Sequence, residues 1–160
     1  MKKLFAVALA VLAITLGGCD DAHKPVQPAS TGVAQGDLLA AMRKRGYDPM
    51  PATADDGLSR FTSQAPGGRA ASLDVVGRES LIVSARLQGK PGVELWKDVA
   101  TMIGASFPAW NGGADWLNGS IPLVAEDGHT MSYPYQGRAN MVLEPAPDGQ
   151  VTFSILTLQK

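Results

Sequence analysis

SLIVSARLQGKPGVELWKDVATMIGA, residues 80–105, holds a strand, a breaker and a helix in succession. In Ser80 to Leu87, the residues Leu81, Val83, Ala85 and Leu87 alternate with Ile82, Ser84 and Arg86. That two-residue period belongs to a half-buried strand. QGKPG then supplies two glycines and a proline, which stop the strand. From Val93 to Ala105 the period changes. Val93, Trp96, Val99, Ala100, Ile103 and, just beyond, Phe107 fall three or four apart on one stripe, with Glu94, Lys97, Asp98 and Thr101 away from it. This predicts an amphipathic helix turned toward a core.

Upstream, two more strands are predicted at Leu58 to Gln64 and Ala70 to Val76, separated by APGGR. A first helix is predicted from Asp37 as N-cap, with Leu38, Leu39, Ala41 and Met42 on its apolar side and Gly46 as its stop. Arg43, Lys44 and Arg45 crowd its last turn, where positive charge complements the helix dipole. That cluster reads as a solvated helix end, with a lipid-headgroup contact as the alternative. Tyr47 to Gly57 is a proline-rich connection.

Downstream, SFPAWNGGADWLNGSIP reads as irregular, with one helical turn near Asp115 to Leu117. Strands are predicted at His129 to Gln136, Arg138 to Glu144 and Val151 to Leu158. The last two form a hairpin through Asp148-Gly149. Leu156 and Leu158 break the alternation of Val151, Phe153 and Ile155, which calls for a bulge or for burial of both faces. The expected fold is α+β: an antiparallel sheet of about five to six strands with two helices packed on it. Each half runs helix then strands, without residue-level similarity between them.

The N-terminus has a different character. Lys2 and Lys3 precede an uncharged apolar run, Leu4 to Leu16, then Gly17, Gly18 and the chain's one cysteine, Cys19. These are the parts of an export signal. The 13-residue run makes roughly 20 Å of helix, short for a bilayer core of about 30 Å. Leu16-Gly17-Gly18-Cys19 resembles the lipobox of bacterial lipoproteins, a resemblance confined to residues 1–19. It implies cleavage after Gly18, diacylglycerol on the Cys19 sulfur and usually a third acyl chain, commonly palmitate, on the new amino group. An ordinary cleaved signal with an incidental cysteine is the plainer alternative. Asp20 resembles the residue that retains such proteins in the inner membrane of enteric-type bacteria. The expected location is therefore the periplasmic face of the inner membrane, ahead of the outer membrane. Asp20 to Gly36, poor in large apolar residues, is expected to be a flexible tether. The organisation expected is signal 1–18, lipidated cysteine and tether 19–36, and a single periplasmic domain 37–160.

Charge and composition narrow the function. The chain has 14 basic and 15 acidic side chains. Without Lys2 and Lys3, 12 basic remain against 15 acidic, a charge near −3. That is no footprint for nucleic acid. Catalytic candidates are few. His129 is the one base outside the tether's His23, and no Gly-x-Ser-x-Gly elbow occurs. Glu126, Asp127 and His129 form the only dense group of metal-ligand types, but EDG reads as an ordinary turn. Asp115 and Glu126 are a non-specific carboxylate pair. No catalytic residue, metal or cofactor is expected.

The aromatics are the candidate site. Trp110 and Trp116 flank Asn111-Gly112-Gly113, and Met131, Tyr133 and Tyr135 share a strand face with His129, with Pro134 marking an edge or bulge. Such residues either close the core or form a binding surface. Trp110, Trp116, Tyr133 and Tyr135 are the binding candidates and Cys19 the lipidation site. The expected function is a lipid-anchored binding or assembly role with another envelope protein: an accessory subunit, an inhibitor or an immunity-type lipoprotein. A small envelope hydrolase using His129 and a carrier of a small apolar ligand are the alternatives.

Overall fold

The computed structural model describes residues 31–54 and 57–157. The signal segment, Cys19, His23 and Leu158 lie outside them. Ten elements follow in order: α1 (Gln35–Lys44), β1 (Met50–Ala52), β2 (Ser59–Gln64), β3 (Ala71–Arg78), β4 (Leu81–Gly89), α2 (Val93–Ser106), α3 (Gly113–Ala125), β5 (Met131–Tyr135), β6 (Ala139–Ala146) and β7 (Gln150–Thr157). The strands form one antiparallel sheet in the order β1-β2-β3-β4-β7-β6-β5. Two meanders, β1 to β4 and β5 to β7, thus abut where their last strands pair.

The α+β class is as expected, with more elements: seven strands rather than five to six, and three helices rather than two. The added strand is β1, inside the proline-rich connection. Pro51 cannot donate to a ladder, and β1 is accordingly a three-residue edge strand. The added helix is α3, which fills the stretch read as irregular. Pro122 and Gly119 mask it in the sequence. Its buried residues Gly113, Leu117, Ser120 and Val124 nevertheless fall four, three and four apart, a helical spacing.

The central strands β3, β4, β7 and β6 turn their apolar residues toward the helices. Leu73 and Val75, Ala85 and Leu87, Phe153 and Ile155, and Met141 and Leu143 are buried in a single core with Leu38, Met42, Val99 and Met102. Each of these side chains larger than alanine contributes roughly 1.5–3 kcal/mol by leaving water. The alternate residues form a polar sheet face, on which Arg60 holds Asp74 through two hydrogen bonds of 3.0 and 2.6 Å. At the sheet centre Thr152 and Ser154 are buried as well, but Leu156 on the same face is 39% exposed and β7 carries no bulge among its described residues, so neither expected cause accounts for the break in phase at Leu156.

The simple alternation expected for β4 breaks at a bulge. Val76 pairs with Ser84, but Gly77 pairs with Ile82, leaving Val83 extra. The inward phase passes from Leu87 and Ala85 to Ile82, and Leu81 is exposed. The α2 stripe is also rotated from the expected one. Its buried residues are Leu95, Asp98, Val99, Met102, Ile103 and Ser106. Val93 is 69% exposed, Ala100 is exposed and Trp96 is only partly buried.

Residues 31–36, read as the end of the tether, pack onto the domain. The Thr31 N–H and hydroxyl both donate to the Ile82 carbonyl at 2.9 Å, and the Ile82 N–H donates to Val33 at 2.8 Å. The first helix begins two residues earlier than expected, and Asp37 lies in its first turn rather than capping it. Gly46 stops it as expected, in the left-handed region at φ +87°.

Candidate functional site

A series of tight turns carries the chain from α2 to α3. The Phe107 N–H donates to the Ile103 carbonyl, the Trp110 N–H to Phe107, and the Gly113 N–H to Trp110, at 2.8, 2.9 and 3.2 Å. These turns fold Trp110 back against the start of α3. Gly113 makes room for it: a Cβ there would lie 2.9 Å from Ile103 Cγ2 and 3.0 Å from Trp110 Cε3, closer than packing allows. From the other side, the pleat of edge strand β5 turns Met131, Tyr133 and Tyr135 toward the helices, since these residues sit opposite the buried Leu143, Met141 and Ala139.

The four binding candidates therefore meet. Trp110 stacks on Tyr133 with centroids 4.6 Å apart and planes 29° apart. It lies 5.8 Å from Tyr135 and 6.0 Å from Trp116. Trp116 reaches Tyr133 at 6.4 Å and the core ring of Phe153 at 6.5 Å. Phe107, 4.5 Å from Tyr135, joins the group. The tryptophans and Tyr135 are partly buried against the core, while Tyr133 is 37% exposed. Beside them, between α2 and α3, lies a cleft of about 330 Å³ lined by Ile103, Gly104, Phe107, Trp110, Asn111 and Leu117, with no charged side chain.

No known protein family, curated protein or solved structure matches this chain. The site must be read from its own chemistry.

The polar candidates do not converge. Asp115, Glu126, Asp127 and His129 are all exposed, and among the described residues no three His, Cys, Asp or Glu side chains are placed to hold a metal ion. His129 sits on the turn after α3, where its backbone N–H donates to the Leu123 carbonyl at 2.8 Å.

A second centre, which the sequence reading placed on the solvent side, lies at the opposite end of α2. Asp98 is fully buried. Its Oδ1 accepts from Arg45 Nε at 2.7 Å, and its Oδ2 accepts from Tyr47 Oη at 2.8 Å and Arg69 Nη1 at 2.9 Å. A buried carboxylate loses several kcal/mol of hydration, which only close paired donors offset. Here three donors from two segments do so, tying the end of α1 and the β2–β3 loop to α2. Burial, then the bond to Asp98, pushes the Tyr47 hydroxyl well above its ordinary 10.0. Glu94, one turn earlier, accepts from Lys97 and Arg45, both at 2.8 Å, and these bonds pull its carboxyl down to about 2. Arg45 is thus held inward, leaving Arg43 and Lys44 as the exposed part of the basic turn. The available signal was the Leu95, Val99, Met102, Ile103 spacing, which encloses Asp98.

Proposed function

We propose that this chain is a lipid-anchored envelope protein that binds another envelope protein, as an accessory, inhibitory or immunity-type subunit, on the periplasmic side of the inner membrane. The carrying observation is the convergence of Trp110, Trp116, Tyr133 and Tyr135 beside an uncharged cleft. Partly exposed aromatic side chains around a small apolar hollow have the composition of binding hot spots. Both sheet edges carry proline, Pro51 in β1 and Pro134 in β5. Strand addition is thereby disfavoured and the partner is left to side-chain recognition. Lipid on Cys19 supplies the anchor; no helix among the described residues is long and apolar enough to cross a membrane.

Affinity capture of the full chain from solubilised membranes tests this reading. Tyr133→Ala should weaken capture of the co-purifying protein by roughly thirtyfold, the equivalent of about 2 kcal/mol, while His129→Ala leaves it unchanged. Loss of cellular function in a folded His129→Ala chain, with capture intact, would replace this reading with the hydrolase.

A further inference from the structure

The first described residues join the domain beside the aromatic cluster. Thr31 and Val33 share a hollow of about 200 Å³ with Phe107, Tyr135 and Arg138. Phe107 and Pro108 also line the cleft between α2 and α3. At this end of the sheet β4 begins, β7 finishes and the β5–β6 hairpin turns. Asp98, Arg69 and the start of α2 occupy the other end. Twelve residue steps separate Cys19 from Thr31, a reach of roughly 40 Å even at full extension.

We propose that the aromatic cleft faces the membrane that holds the lipid, and that its occupant is an apolar side chain of a protein embedded in that same membrane, bound in cis. This rests on the lipoprotein reading and on the aromatic site proposed above. The tether's attachment point biases the orientation. A domain held by its cleft end presents that end to the leaflet, and its Asp98 end outward.

The shape of the site favours a protein over the lipid itself. A bilayer is entered by protruding rings, whereas Trp110 and Trp116 pack on each other and on the core. The cleft is a hollow, and a hollow takes a knob. Its walls carry no charge, so the knob is aliphatic or aromatic. Gly104 leaves one wall low; a Cβ there would meet no atom within 4 Å. A second copy is the less complementary occupant: Val93, the most exposed large apolar side chain among those described, projects at the far end of α2, and Leu81 and Leu156, at the cleft end, are only 36% and 39% exposed.

The experiment uses the full lipidated chain. In vesicles of phosphatidylethanolamine and phosphatidylglycerol containing dansyl-phosphatidylethanolamine, energy transfer is measured from Trp110 and Trp116 in a Trp96→Phe chain. It is compared with transfer from Trp96 in a Trp110→Phe, Trp116→Phe chain. Transfer from the first pair should be at least twofold greater. In native membranes, a benzophenone side chain at Asn111 should cross-link to an integral membrane protein, while one at Lys90, at the far end, should not. That cross-link should fall at least tenfold in Gly104→Leu, in Ala100→Leu on the same wall, and in a Cys19→Ser chain exported through an ordinary signal. Thermal unfolding of each variant confirms its fold. Equal or greater transfer from Trp96 in an anchored chain overturns the orientation and leaves the lipoprotein reading standing. A cross-link to lipid, to a second copy, or one that survives both cleft-filling variants overturns the occupant. Absence of palmitate labelling on Cys19 removes the lipoprotein reading itself, and the cis geometry with it.

Discussion

Trp110 lies nearly face to face with Tyr133, their ring centroids 4.6 Å apart, and this contact fastens the α2–α3 connection to edge strand β5. An edge strand has a backbone neighbour on one side only, so side-chain contacts with the helical layer carry much of its attachment. The rings that form the candidate binding surface also hold β5 in place. Tyr133→Ala should cost about 1–2 kcal/mol in urea unfolding, mostly the lost aromatic pair and partial burial. It should also shift tryptophan emission to longer wavelength as water reaches Trp110. An unchanged emission maximum would show that Tyr133 does not cover that ring.

The rotated stripe of α2 gives a paired test. Met102 is fully buried and Val93 is 69% exposed. Met102→Ala should cost about 2–5 kcal/mol, as truncation of a core side chain does. Val93→Ser should stay within about 0.5 kcal/mol of wild type. Trp96, partly buried, belongs between them. A large loss for Val93→Ser would restore the stripe as first read from the sequence.

What the sequence revealed and concealed follows from particular residues. The periods of β4 and α2 were strong because alternation and helical spacing persist over many positions, and Gly46 and Asp148-Gly149 were legible because their backbone requirements are local. Asp98 was misplaced because a charge is ordinarily solvated; its donors Arg45 and Arg69 are 53 and 29 positions away, and no local pattern links them. Val83 looked like part of an unbroken strand because a bulge is defined by the partner strand's register. In the aromatic site, residue types and strand alternation brought out all four rings. The cleft beside them required α3, which Pro122 and the glycines had hidden.

Asp98 should be the most costly polar residue to remove. Asp98→Ala leaves two guanidinium groups, only 26% and 28% exposed, without their shared carboxylate. The expected loss is about 3–5 kcal/mol, read as a lower denaturation midpoint at unchanged slope. A loss below about 1 kcal/mol would mean that solvent replaces the network.

Tyr47 predicts an alkaline dependence of stability. Its hydroxyl pKa is raised in the folded state above the ordinary 10.0, so above that pH the unfolded chain releases a proton that the folded chain keeps. Stability from this group is complete below about pH 10 and is lost as pH rises beyond it. Tyr47→Phe, which cannot ionise, should flatten the decline between pH 10 and 11. Equal slopes for wild type and variant would show that the Tyr47–Asp98 bond does not hold the proton.

Gly113 tests whether the aromatic site depends on close backbone approach. A methyl at this position would press on Ile103 Cγ2 at 2.9 Å and Trp110 Cε3 at 3.0 Å. Alanine favours helix over glycine by roughly 1 kcal/mol, and Gly113 is the first residue of α3, so on propensity alone Gly113→Ala should be neutral or stabilising. Overpacking opposes that gain with about 1–3 kcal/mol. The side chain able to yield is Trp110, because Ile103 is buried in the core and Trp110 borders the open cleft. Gly113→Ala should therefore destabilise by about 1–2 kcal/mol, alter near-ultraviolet circular dichroism through the displaced Trp110–Tyr133 pair, and leave far-ultraviolet dichroism unchanged. Gly104→Ala, where a Cβ meets nothing within 4 Å, is the control and should be neutral or stabilising with an unaltered aromatic signal. If both alanine variants behave alike, the Gly113 contact does not position Trp110, and the site owes its shape to the turn hydrogen bonds alone.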